Sequence, residues 1–156
     1  MAMEIERKFL IKRELFTPQE PGIRVRQGYL PQSEAAPLLV RVRQHNERAY
    51  LTLKGRTAGV SRAEYEYEIP FADSEELLAL CEKPLIEKTR YLEKAADGHI
   101  WEVDIFFGEN EGLIVAEVEL KDENEPFERP AWLAEEVSGD KRYYNSNLGK
   151  CPFKKW

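Results

Sequence analysis

Eight stretches of this chain alternate charged and apolar side chains with a period of two, which restricts it to a fold built mainly from strands. They cover residues 4–11, 23–30, 38–44, 49–55, 61–69, 85–92, 100–107 and 113–120, with a hairpin loop at 45–48. Short connections between them predict mostly antiparallel pairing. Helix signals are fewer. Asp73-Ser74-Glu75-Glu76 before Leu77-Leu78-Ala79-Leu80 reads as a capping box closed by Pro84, Pro130 reads as the first residue of a second helix over 130–136, and 140–148 as a third, short one.

Successive strand residues point to opposite faces. One face then carries Glu4, Glu6 and Lys8; Arg24 and Arg26; Arg41 and Arg43; Lys54; Glu64, Glu66 and Glu68; Lys88 and Arg90; Glu102 and Asp104; and Glu117 and Glu119. The opposite face carries Ile5, Phe9 and Ile11; Val40 and Val42; Leu51 and Leu53; Tyr65, Tyr67 and Ile69; Trp101, Val103 and Ile105; and Ala116, Val118 and Leu120. A solvated face over a one-sided core explains any single strand of this kind but explains the set poorly. The polar face is nearly pure charge, and its signs are segregated by strand, which is costly unless a counter-charged neighbour or ligand offsets the row. A closed sheet of about eight strands encloses room for side chains or a small ligand. If the ionic face is that interior, the fold is a barrel with its apolar face outside.

Composition narrows the chemistry. The 156 residues carry 23 Lys+Arg against 29 Asp+Glu, a net charge of −6. That argues against a general nucleic-acid or anionic-membrane binder. The longest apolar run, 77–81, is far short of a membrane span, and no signal peptide is visible. Cys81 and Cys151 have neither metal-knuckle spacing nor a disulfide framework, so reduced thiols and a cytoplasmic location are expected. With His45 and His99 the only histidines, a zinc site or a Ser-His-Asp triad has little to draw on. Rows of Arg and Lys suit a phosphate chain, and clustered carboxylates suit a hard cation such as Mg²⁺ or Mn²⁺. No glycine-rich phosphate loop occurs, so side chains must hold the phosphate.

Glu4-Ile5-Glu6-Arg7-Lys8 has the E-x-E-x-K pattern of the CYTH superfamily, the triphosphate tunnel metalloenzymes. The resemblance continues in family order through Arg41-Val42-Arg43, Leu51-Thr52-Leu53-Lys54, Ser61-Arg62-Ala63-Glu64-Tyr65-Glu66, Glu87-Lys88-Thr89-Arg90-Tyr91, Glu102-Val103-Asp104 and Val115-Ala116-Glu117-Val118-Glu119. Arg26-Gln27-Gly28-Tyr29-Leu30, and Trp132, Glu135, Glu136, Val137 and 140–143, resemble the small single-domain bacterial branch, which includes inorganic tripolyphosphatases.

The resemblance implies an α+β fold in one domain over 1–156: a closed, eight-stranded, mostly antiparallel β-barrel with a charged interior and helices packed outside. It implies metal-dependent hydrolysis of inorganic triphosphate. Lys8, Arg26, Arg41, Arg43, Lys54 and Arg90 would bind the substrate. Glu4, Glu6, Glu64, Glu66, Asp104, Glu117 and Glu119 would hold Mg²⁺ or Mn²⁺, or else orient basic neighbours by ion pairing, while Glu68 and Glu102 are read as structural. Lys88 is the candidate base, because a lysine among other cations gives up its proton more readily. Tyr29 is either its partner or an aromatic packed on the C-terminal segment. Lys141 and Arg142 either close a tunnel mouth or sit in a solvated turn. An organic triphosphate hydrolase, a class IV adenylate cyclase and a non-catalytic polyphosphate-binding module are the alternatives. The expected partner is a small triphosphate, with no nucleic acid or membrane, in a monomer or homodimer.

Overall fold

A computed structural model describes residues 3–156. Its strands are β1 (Met3–Ile11), β2 (Ile23–Tyr29), β3 (Leu38–His45), β4 (Arg48–Gly55), β5 (Ser61–Ile69), β6 (Ile86–Lys94), β7 (Ile100–Phe106), β8 (Ile114–Glu119) and β9 (Leu133–Glu136). Helix α1 spans Phe71–Leu80 and α2 spans Asn145–Lys150. The sheet order is β5-β4-β3-β2-β6-β7-β8-β1-β9, every pairing is antiparallel, and β1 also pairs with β5.

Strand β1 makes the closure possible because its two halves have different neighbours. Met3–Ile5 pair with Ala63–Ser61 of β5, and Glu6–Leu10 pair with Glu119–Val115 of β8. The sheet thus closes on eight strands, and β9 is added beside the second half of β1, with Phe9 opposite Glu136 and Ile11 opposite Leu133. The expected helix over 130–136 is therefore a turn leading into a strand. Leu133-Ala134-Glu135-Glu136 are good helix formers, but the free edge of β1 offers ladder bonds and Leu133 a buried seat, and tertiary pairing overrides weak local propensity.

Closure puts the charged face inside and the apolar face outside, where it forms the main core. Phe9, Trp101, Val103, Ala116, Val118 and Leu120 are buried with Leu133 beneath Phe127 and Trp132, so loop and strand, not helix, cover this side. Helix α1 covers another side, burying Val42 against Leu78 and Cys81. It starts two residues before the expected capping box, with Pro70 as its N-cap. The predicted short helix over 140–148 is a 3₁₀ turn at Lys141–Tyr143 followed by α2. A third cluster, Tyr29, Ile86, Phe106, Leu113 and Val115, packs on Leu148 of α2, with Phe153 alongside. Four of these (Tyr29, Ile86, Phe106 and Val115) share strand faces with the charged interior residues, so α2 docks on the inward face near the ends of β2, β6 and β7. No helix among the described residues is long and apolar enough to cross a membrane.

Strand β2 departs from the expected phase. Val25, Gln27 and Tyr29 are buried, while Arg24 is exposed and Arg26 is partly so. Register confirms the reversal: Gln27 lies opposite Arg43, and Val25 opposite Lys88, both inward residues. A one-residue change of phase exchanges all the side chains between faces. The outer face here must accept the end of α1, and Gly28 supplies the space. A Cβ at Gly28 would lie 2.7 Å from both Cys81 Cβ and Leu85 Cδ2.

Candidate active site

The barrel interior holds a cavity of about 230 Å³ lined by Glu4, Glu6, Lys8, Tyr29, Arg41, Arg43, Lys54, Glu64, Glu66, Arg90, Glu117 and Glu119. Twelve of the sequence-predicted site residues thus meet on one surface. Three do not line it: Arg26, Lys88 and Asp104. Arg26 points outward and stands 3.6 Å from Glu75 and 3.7 Å from Glu87, which corrects its expected place among the interior cations. Asp104 is inside but buried behind the cavity wall. Its two oxygens accept from Arg90 Nε at 2.8 Å and Nη2 at 2.9 Å, and Lys88 Nζ stands 2.7 Å from Oδ2. Its lone pairs are directed at cations, so it serves here as the counter-charge that orients Arg90 and Lys88. Burial works to raise its pKa, but Arg90 and then Lys88 hold it well below the usual carboxylate range.

The cations around the cavity are anchored differently from one another. Lys8 Nζ donates to Tyr143 O at 3.0 Å and lies 3.6 Å from Glu117. Lys54 lies 3.2 Å from Glu4 and 3.5 Å from Glu64. Arg41 reaches Glu66 at 3.3 Å and Thr52 at 3.2 Å, while its buried Nε has no acceptor. Arg43 has no carboxylate partner among the described residues; its Nε donates to Gln27 Oε1 at 2.7 Å. Burial, then Arg41 and Arg90, press the Arg43 pKa down to about 9. A guanidinium stays charged regardless, so this is a positive charge on which Glu102 acts only from beyond ion-pair distance.

The carboxylates come in pairs. Burial and a hydrogen bond with Glu64 raise Glu4 to about 7, and the same bond, with Lys54, keeps Glu64 low against its own burial. Burial and Glu117 raise Glu6 well above its ordinary value, while Lys8 and the bond from Glu6 hold Glu117 well below its own. In each pair one carboxyl is pushed toward its neutral form and the other is held ionised, as expected for neighbouring acids. Glu6 and Glu119 have no cationic partner within 4 Å among the described residues. No three His, Cys, Asp or Glu side chains there converge into a ready-made metal cage. Paired oxygen donors of this kind fit a hard divalent cation that fills its remaining positions with water and phosphate oxygens.

Lys88 lies behind this wall with a side chain sealed from solvent. It donates to Asn145 Oδ1 at 3.0 Å and sits 5.3 Å from the Phe106 ring centroid. Burial lowers its pKa to about 7, against the pull of Asp104 and helped by Arg90 and Arg43. Tyr29 lines the cavity and also packs in the cluster around Leu148, so packing on the C-terminal segment is observed, and Lys88 bonds to Asn145 rather than to Tyr29. Lys141 and Arg142 are exposed outside the cavity.

Several lining residues lay outside the sequence reading. Arg62 has the right strand parity and was legible in principle. Glu102, expected on the charged face as a structural acid, lines the cavity and accepts from Arg90 Nη1 at 3.0 Å. Ser138, Tyr144, Asn145 and Ser146 come from the C-terminal segment, and Thr57, Gly59 and Val60 from the β4–β5 loop, where no periodicity marks them.

Comparison with known proteins agrees with this arrangement. The chain matches the CYTH domain over residues 2–146. It is 50% identical over 155 residues to an inorganic triphosphatase of Acetivibrio thermocellus, covering 99% of this chain and 97% of that protein. An inorganic triphosphatase of Nitrosomonas europaea is 40% identical over 148 residues, covering 93% and 95%. The crystal structure of an inorganic triphosphatase superposes with a TM-score of 0.69 at 38% identity, covering 96% of this chain and 95% of the other. An eight-stranded barrel with this charged interior, matched over nearly its whole length, belongs to the CYTH domain family.

Proposed function

We propose that this protein hydrolyses inorganic triphosphate to pyrophosphate and phosphate inside the barrel, with Mg²⁺ or Mn²⁺ as cofactor. The observation that carries the reading is Arg43, a guanidinium held in the cavity wall without a carboxylate partner, beside Arg41 with an unused Nε donor. An anion with several oxygens supplies what both lack, and planar guanidinium groups match phosphate oxygens in bidentate fashion. The relatives of known name act on the same substrate. At about 230 Å³ the cavity is smaller than the roughly 300–1,000 Å³ of sites for drug-sized ligands. That favours a compact inorganic chain over a nucleotide or thiamine ester.

Lys8, Arg41, Arg43, Lys54 and Arg90 would bind the phosphate oxygens. Glu4, Glu6, Glu117 and Glu119, with Glu64 and Glu66, would hold the divalent cation. Bound there, the cation neutralises phosphate charge and lowers the pKa of a coordinated water. Lys88, separated from the cavity by Asn145, is suited to hold or take up a proton at Nζ near neutral pH. Tyr29 lines the cavity and packs on Leu148, and would help to shape the cavity where α2 docks.

Incubation of the purified protein with tripolyphosphate, ATP and thiamine triphosphate, each with Mg²⁺ or Mn²⁺, tests the reading. Phosphate release from tripolyphosphate in clear preference to the other two is expected. Cyclic AMP from ATP with tripolyphosphate left intact would overturn it, as would tight tripolyphosphate binding without turnover.

A further inference from the structure

Arg41, Arg90, Lys8 and Lys54 each stand within 4 Å of a carboxylate; Arg43 does not, and its acceptor is the amide oxygen of Gln27. Gln27 is fully buried. Its Nε2 donates to Asn145 Oδ1 at 3.4 Å, and that oxygen also accepts from Lys88 Nζ. With Lys88 as the ammonium paired with Asp104, the two ends of this chain are pure donors, because neither a guanidinium nor an ammonium can accept. Asn145 must therefore turn its oxygen to Lys88, Gln27 must offer its NH₂ to that oxygen, and its own carbonyl is left facing Arg43. Both amides have one consistent orientation.

We infer that Gln27 is a positioning residue for the triphosphate reaction: it aims the Arg43 guanidinium into the cavity by a neutral contact and leaves the whole charge for the substrate's phosphates. The inference rests on the function proposed above. A glutamate in the same place would hold Arg43 by a stronger, charge-assisted bond. It would also cancel the charge that the substrate needs. The amide alone can accept from Arg43 and donate to Asn145 Oδ1 while adding no negative charge beside the anion site.

The test uses Gln27→Glu, Gln27→Leu and Arg43→Ala, each measured for thermal stability, tripolyphosphate affinity by calorimetry and steady-state kinetics with Mg²⁺. Gln27→Glu also loses its donor to Asn145 Oδ1, so its melting temperature is measured but does not decide; its tripolyphosphate Kd and KM are expected to rise about tenfold or more, with kcat within about threefold. Gln27→Leu removes the acceptor and is expected to raise KM in the wild-type background but not when Arg43 is already Ala. Wild-type affinity in Gln27→Glu, or a Gln27→Leu effect undiminished without Arg43, overturns the inference. If Gln27→Glu does not fold, the Leu and Ala cycle decides alone. Failure of the function itself is read separately, from wild-type protein that neither binds nor cleaves tripolyphosphate.

Discussion

Lys88 Nζ stands 2.7 Å from Asp104 Oδ2, with the lysine side chain wholly sealed from solvent and the aspartate 2% exposed. The same carboxylate takes Arg90 through two hydrogen bonds, so one acid sets the position of two cations. Removing one member of such a buried group leaves uncompensated charge. Asp104→Ala is expected to destabilise the protein by about 3–5 kcal/mol, measured by urea denaturation. A loss below about 1 kcal/mol would show that the ion pairs do not hold this part of the barrel.

Lys88 and Arg41 are expected to fail in different ways. Lys88→Met keeps the volume and removes the proton carrier, so kcat should fall by about 10²-fold or more while KM changes little. Arg41→Ala removes a phosphate contact and should act mainly on KM. Steady-state kinetics with tripolyphosphate separate the two, and the reverse split would end the proposed role of Lys88.

The raised pKa values of Glu4 and Glu6 are expected to make stability and divalent-cation binding depend on pH. Glu4 titrates near 7 in the fold against 4.5 for an ordinary glutamate. A raised folded pKa means that its stabilising contribution is complete below about 4.5 and is lost as pH rises through about 7. Metal-free protein should therefore lose on the order of 1–3 kcal/mol between pH 5 and 8 from this and the neighbouring Glu6. Mg²⁺ should restore stability at pH 8 and do much less at pH 5, where protons occupy its site. Thermal melts with EDTA or Mg²⁺ at both pH values check this; an equal Mg²⁺ effect at both would contradict it.

Leu148 is fully buried among Tyr29, Ile86 and Phe106 and is the apolar anchor of α2. Leu148→Ala is expected to cost about 2–5 kcal/mol. The helix also carries Asn145 and Ser146 of the cavity wall, so activity should fall further than the folded fraction does. Denaturation curves and specific activity on the same samples measure both.

Gly28 tests the reversed phase of β2. Its outward Cβ would fall 2.7 Å from Cys81 Cβ and Leu85 Cδ2, so Gly28→Ala should destabilise by about 1–3 kcal/mol through overpacking. With Arg26 outward, Arg26→Ala should leave the KM for tripolyphosphate unchanged. A large KM effect at Arg26 together with a neutral Gly28→Ala would restore the phase expected from the alternation.

That phase shows what local pattern can and cannot decide. All eight barrel strands were legible, because alternation is a property of neighbouring residues. On seven of them the charged face was also the inner face. On β2 the arginines suggested the same, yet Arg24 and Arg26 face outward, because Gly28 must meet the end of α1 and Gln27 must meet Arg43. Leu133–Glu136 failed for a related reason: its helix-forming residues gave no sign of the open edge of β1 that they pair with.

The sequence by itself determined the strand content, the sign-segregated charge rows and the family to which they belong. The closed barrel was needed to show which acids pair, which cation lacks a carboxylate, and that Asn145 covers Lys88. Those relations join residues far apart along the chain, such as Lys8 with Tyr143 and Lys54 with Glu4. Period-two alternation places a side chain on one of two faces, but barrel closure and the docking of α2 decide which face is inside and what each charge meets there.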